Sequence, residues 1–165
     1  MRYGNVVRQA IKTALLAIVA ALIAQGADKA VDWTLVAPNK PVEIGRVATV
    51  QIVGQIKPGW HLYALEVAEG GPIPTEISLA GDQPFELAGS VTGPKPHSIF
   101  DPNFNMQVGF YVDKAEFKAP VKATASALAG KQPIVALARY QACNDKLCLP
   151  PKTVRVEGVI DVRRR

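Results

Sequence analysis

The sequence predicts an all-β fold, an immunoglobulin-like antiparallel β-sandwich, on three observations. Short runs of alternating apolar and polar residues recur along the chain, Pro and Gly turn signals separate them, and no convincing helix follows the N-terminal apolar run. Alternation of this kind gives each strand one side to bury.

The first 26 residues stand outside that pattern. Arg2, Arg8 and Lys12 form a positive start, residues 13–24 are uncharged and almost wholly apolar, and Ala24-Gln25-Gly26 places small residues where a signal peptidase reads. Residues 1–26 are therefore expected to be a cleaved secretory signal. An uncleaved anchor is the competing reading, but the apolar run has 12 residues and a spanning helix needs about 20. No second long apolar run follows, so no membrane insertion is expected after cleavage, and the expected location is the periplasm of a bacterium-like cell.

Residues 27–165, about 139 positions, suffice for one domain with its own core. No internal repeat or low-complexity linker divides them. Residues 32–36 read as a short strand that residues 38–41, with Pro38 and Pro41, interrupt. Residues 46–56 alternate, with Ala48, Val50, Ile52 and Ile56 on one face and Thr49, Gln51 and Gln55 on the other. Pro58-Gly59 signals a turn, and Trp60, Leu62 and Ala64 resume the alternation, so residues 46–65 read as two antiparallel strands. Residues 70–74 end that unit, 76–79 and 85–87 are short strands, and the Pro- and Asn-rich residues 93–105 form a long loop of the kind that often carries function. Residues 108–112 and 117–128 are further strands. A final hairpin joins residues 133–140 to 153–162, where Val154, Val156, Ile160 and Val162 share one face.

Charge narrows the function classes. The chain carries +5 overall; loss of the signal leaves +2, with Arg163, Arg164 and Arg165 supplying +3. A body this close to neutral gives no reason to expect nucleic-acid binding.

The chemistry concentrates in the loop of the final hairpin, which holds both cysteines, Cys143 and Cys148, with four residues between them. Export beyond the cytosol lets such a pair persist as a disulfide. As a staple it is weak: a loop this short is worth about 2 kcal/mol, against nearly 5 for a loop of about 100 residues. Placed at the edge of a rigid sandwich, the same pair is open to a partner's thiolate. On spacing alone, redox exchange and a structural disulfide both stand. His61, His97, Met106 and the cysteines are a conceivable copper(I) set. Neither histidine has zinc-finger spacing to a cysteine, however, and His61 and Met106 read more simply as packing residues, so neither metal nor other cofactor is expected. No Ser/His/Asp arrangement, paired-carboxylate signature or phosphate-cradling glycine motif stands out.

Tyr140-Gln141-Ala142-Cys143, four intervening residues and Cys148-Leu149-Pro150-Pro151 resemble the active-site loop of the N-terminal periplasmic domain of the thiol:disulfide interchange protein DsbD. Gly59-Trp60-His61-Leu62-Tyr63 and Gly71-Pro72-Ile73-Pro74-Thr75 resemble upstream signatures of the same domain, in the same order. The resemblance spans nearly all of residues 27–165, and the cysteine pair followed by two prolines is its specific part.

That resemblance implies an immunoglobulin-like domain that takes electrons from a membrane-linked thioredoxin-type module and passes them to periplasmic thioredoxin-fold proteins such as disulfide isomerases. It also implies a link to cytochrome c biogenesis. Cys143 and Cys148 would cycle between dithiol and disulfide, Tyr63 and Tyr140 would support the site, and a cap loop matching residues 100–106 would cover it. Phe104 is the expected covering ring, with Phe100 its rival. The resemblance further implies that Cys148 forms the intermolecular bond and Cys143 resolves it. Two prolines after Cys148 lack N–H donors and leave that side open, whereas Cys143 continues from an apolar strand.

The sequence departs from the archetype in two ways. It lacks the polytopic membrane domain and the C-terminal thioredoxin-like domain, so a stand-alone version with a separate electron donor is expected. Its cysteine loop is also one residue shorter than in the best-known member. A non-catalytic secreted interaction module held by a structural disulfide is the alternative, and a periplasmic copper-binding protein a more distant one.

Overall fold

The structure, a computed structural model, describes residues 30–102 and 104–164; the expected signal, residues 1–26, lies outside the described residues. In chain order the strands are β1 (Val31–Val36), β2 (Val42–Glu43), β3 (Val47–Ile56), β4 (His61–Tyr63), β5 (Glu76–Leu79), β6 (Phe85–Leu87), β7 (His97–Asp101), β8 (Met106–Tyr111), β9 (Lys114–Ala123), β10 (Gly130–Tyr140), β11 (Ala142–Cys143) and β12 (Lys152–Arg163). No helix occurs among the described residues, and so none is long and apolar enough to cross a membrane.

Two four-stranded sheets, β1-β3-β9-β6 and β2-β12-β10-β5, form the sandwich. Their pairings are antiparallel apart from the two-residue parallel contact of β2 with the end of β12. Alternation decides what they bury: Val50, Ile52 and Ile56 of β3 meet Phe117, Ala119 and Val121 of β9, and Ile134, Ala136 and Ala138 of β10 with Val156, Ile160 and Val162 of β12 complete one core. Phe117 lies between Trp33, with centroids 5.9 Å apart, and Tyr111, at 5.6 Å; such ring pairs add about 0.5–1.5 kcal/mol each beyond burial. Gly158 of β12 lets the sheets approach closely, because a Cβ there would fall 2.4 Å from Leu35 Cδ2 of β1.

A third sheet, β11-β4-β8-β7, positions the site. Both of its faces are apolar. Leu62, Tyr111 and Ala142 point into the sandwich core, while Tyr63, Val108 and Cys143 form a second cluster on the opposite face.

Three sequence expectations change. Residues 46–65 do contain two strands, but β3 and β4 do not pair, because both edges of β3 are taken by β1 and β9. Gly59, at φ 80°, and a turn closed by Trp60 N–H donating to Lys57 O redirect the chain into the third sheet. The expected loop at 93–105 contains strand β7, which pairs with β8 alone. As an edge strand it is exposed from His97 to Phe100, so it carries little of the apolar alternation that marks a half-buried strand. The strand expected over 117–128 ends at Ala123, where Ala127 N–H donates to Thr124 O and Thr124 Oγ1 bonds Ser126 Oγ in a turn.

Candidate redox site

The chain leaves the sandwich sheet at Tyr140 and enters the third sheet at Ala142, whose side chain still faces the sandwich core, while that of Cys143 faces the second cluster. Gln141 braces the crossing: its Oε1 accepts from Ile73 N–H at 3.2 Å and its Nε2 donates to Leu149 O at 3.4 Å. Ala142 lies opposite Leu62 and Cys143 opposite His61 across the β11–β4 ladder. Beyond Cys143 the chain doubles back at once. Asn144 N–H donates to Leu147 O and Leu149 N–H to Ala142 O, each at 2.9 Å, while Asn144 Oδ1 accepts from the backbone N–H groups of Lys146 and Leu147. This Asx-type turn is what the short Asn side chain does well.

The turn brings Cys143 and Cys148 face to face as a bridge, and they form a disulfide with S–S 2.05 Å and Cα atoms 4.0 Å apart. That Cα separation is shorter than the usual 4.4–6.8 Å. The two sulfur-bearing residues differ in access. Cys143 is 1% exposed, and Cys148 is only partly buried.

Phe104, Met106, Phe110 and Cys148 pack against the cluster of Tyr63, Val108 and Cys143. The Phe104 ring meets Tyr63 edge to face, 6.2 Å between centroids. Tyr63 is held at both ends: its hydroxyl donates to buried Asp101 Oδ2 at 2.9 Å, and its carbonyl accepts from Thr75 Oγ1 at 2.6 Å. Burial, that hydrogen bond and the Asp101 charge push the Tyr63 phenol well above its ordinary value, so it remains a donor. The His61 ring touches Tyr63 and Phe110 edge-on, at 5.2 and 5.4 Å. Burial lowers its pKa, while the charges of Asp101 and Asp145 act in the opposite sense.

Beside the disulfide lies a groove of about 580 Å³ bounded by Trp60, His61, Phe100, Phe110, Asn144 and Asp145. It gives solvent a way to the edge of the cysteine loop.

Of the residues singled out in the sequence, Cys143, Cys148, Tyr63 and Phe104 come together here. Phe100 does not join them; it is 51% exposed and lines the groove. Tyr140 is buried in the sandwich core, 5.3 Å from the Trp33 ring with Lys152 Nζ 5.6 Å over its face, and belongs to a different cluster from Cys143. Met106 belongs to the cluster, and Phe110 separates His97 from His61 by contacting both rings. Among the described residues, no group of three or more His, Cys, Asp or Glu is arranged to hold a metal ion. Asp101 and Asn144 were missed from sequence. An acidic residue inside an aromatic stretch and an Asn directly after a cysteine are the signals that point to them.

Residues 34–159, which include the disulfide and the third sheet, match the family described as "Thiol:disulfide interchange protein DsbD, N-terminal". The chain belongs to the DsbD N-terminal domain family. The DsbD N-terminal domain of Neisseria meningitidis, solved in its reduced form, superposes with a TM-score of 0.53 at 17% identity, covering 82% of this chain and 93% of that one. The N-terminal periplasmic domain of ScsB from Proteus mirabilis gives 0.51 at 15% identity, covering 74% of this chain and 43% of that one. At these identities the likeness to both is one of fold. No curated protein matches the sequence. Membership of the DsbD family makes thiol–disulfide exchange the general chemistry of this domain.

Proposed function

We propose that the protein relays electrons between thioredoxin-fold proteins in the periplasm through the Cys143/Cys148 pair, after removal of residues 1–26, with no cofactor. A reduced donor's thiolate attacks Cys148 Sγ, and the Cys143–Cys148 bond breaks with its electron pair leaving on Cys143 Sγ. The donor's second thiolate then attacks its own bridged sulfur and expels Cys148, which leaves this protein as a dithiol and the donor oxidised. In the second half, Cys148 thiolate attacks an acceptor disulfide, and Cys143 attacks Cys148 to release the reduced acceptor. The donor is a membrane-linked thiol module and the acceptor resembles a disulfide isomerase.

The observation that carries this proposal is the unequal access of the two cysteines, with Cys143 buried and Cys148 reachable at a loop edge. Exchange needs one sulfur that can be attacked and one that can leave. A structural bridge has no use for the asymmetry and, across so short a loop, adds only about 2 kcal/mol. Phe104 supports the same reading as a ring that limits entry to the pair.

The reduction potential tests it. Exchange with thioredoxin-fold partners calls for a value in the range of about −120 to −270 mV. A value well below about −300 mV is the mark of a structural bridge and favours the interaction-module alternative.

A further inference from the structure

His61 is the residue directly opposite Cys143 in the β11–β4 pairing. Opposed residues in an antiparallel pair project from the same face with Cβ atoms about 4.5–5.5 Å apart. The contacts agree: His61 touches the ring of Tyr63, and Tyr63 and Cys143 share one cluster. Edge contacts with Tyr63 and Phe110 fix the imidazole, and its other side borders the groove.

We infer that His61 takes the proton from Cys143 Sγ when Cys143 resolves a mixed disulfide, and returns it when Cys143 is the leaving group. The inference rests on the exchange function proposed above and deepens it. In the resolving step the Cys143 S–H proton passes to an imidazole nitrogen and the sulfur's electron pair forms the bond to Cys148 Sγ. The bond from Cys148 to the acceptor breaks, and the acceptor's sulfur leaves as thiolate with the electron pair. In the recharging step Cys143 leaves with the electron pair and the imidazolium returns the proton to it.

The surroundings suit both steps. The titratable groups around His61 are Tyr63 on its own strand, Asp101 and His97 on β7, Asp145 in the cysteine loop and Asp113 after β8. Among the described residues, no lysine or arginine lines the groove. Burial keeps His61 neutral near pH 7, ready to accept a proton, and the charges of Asp101 and Asp145 favour the imidazolium once it forms. A buried thiol needs such help. Even a free thiol is only a few per cent thiolate at pH 7, so most Cys143 side chains must lose a proton before they can attack.

The test uses the reduced protein and an aromatic disulfide reagent whose released thiolate is coloured. The first release reports attack by Cys148, and the second reports resolution by Cys143. In the wild type the second step should bend with pH at the midpoint at which the His61 ring signals titrate by NMR. His61→Phe, which retains a ring against Tyr63 and Phe110, should slow the second step about tenfold at pH 7, erase that bend and leave the first step unchanged; His61→Gln should do the same. Equal slowing of both steps, or an unchanged second step, overturns the inference, and so does a wild-type profile with no bend at the His61 midpoint. If the wild type completes both steps but leaves an oxidised thioredoxin-fold protein untouched, the exchange function falls and the role of His61 with it. If it reduces that protein and His61→Phe does so equally fast, only the role of His61 falls.

Discussion

The Tyr63 hydroxyl donates a 2.9 Å hydrogen bond to Asp101 Oδ2, joining two buried residues 38 positions apart in the chain. It ties β4, which underlies the disulfide, to the last residue of β7, where the turn bearing Phe104 begins. Phe104 N–H donates to Asp101 O at 3.3 Å in that same turn. One carboxylate residue thus anchors both Tyr63 and the turn that bears Phe104.

Removing that hydroxyl isolates its contribution. Tyr63→Phe retains the ring against Phe104 and takes one donor from a buried carboxylate, which should cost about 1–3 kcal/mol. Urea unfolding measures it, and a loss below about 0.5 kcal/mol would mean that the bond contributes no more than an ordinary exposed one.

Phe104 is only partly buried, so Phe104→Ala should cost less than the 3–5 kcal/mol typical of a fully buried Phe. Its larger effect should be kinetic, with small thiols and peroxides reacting faster with the cysteine pair. Stopped-flow reaction with a small thiol decides it. An unchanged rate in a folded variant would reduce Phe104 to a packing residue.

Opening the disulfide should leave the fold intact. The sandwich core does not depend on the bridge, and a six-residue loop restrains the unfolded chain by about 2 kcal/mol. The reduced protein should therefore retain its β circular dichroism and unfold at modestly lower urea. Collapse of the fold on reduction would assign the bridge a structural task.

His61 also sets a pH dependence of stability. Burial places its folded-state pKa below the ordinary 6.5, so below that pH the unfolded chain binds more protons than the folded one. Stability is then complete above about pH 6.5, falls as the pH drops through that value and levels off below the folded pKa. Urea midpoints between pH 7.5 and 5 should decline more steeply for the wild type than for His61→Phe. Parallel declines would place the effect on other groups.

The sandwich was legible in the sequence because its strands are half buried: Val50, Ile52 and Ile56, or Val156, Ile160 and Val162, fall on even positions, with Gly54 and Gly158 in the gaps, and point to one core. The third sheet was legible only in part: residues 60–65 and 108–112 read as strands, as β4 and β8 are, but their pairing and their neighbours were not legible, for two physical reasons. Its inner strands bury both faces, so β4 sends Leu62 one way and Tyr63 the other and its pattern does not say which sheet it joins. Its edge strand β7 buries almost nothing and reads as loop. The cysteine pair was singled out by its place in the final hairpin loop, and Tyr63 and Phe104 through motif resemblance. Asp101 and the register of His61 against Cys143 depend on which strands pair, which local patterning does not encode.

Single-cysteine trapping distinguishes exchange through Cys148, with buried Cys143 resolving, from every other use of the pair. Each of Cys143→Ala and Cys148→Ala is mixed in reduced form with a thioredoxin-fold protein that lacks its resolving cysteine and carries its remaining cysteine as a mixed disulfide with an aromatic thiol, which leaves as thiolate when the variant attacks; the covalent complex is read by non-reducing electrophoresis and mass spectrometry. Cys143→Ala should form a stable mixed disulfide through Cys148, and Cys148→Ala should form none. Trapping through Cys143, equal trapping by both variants, or none by either would contradict it.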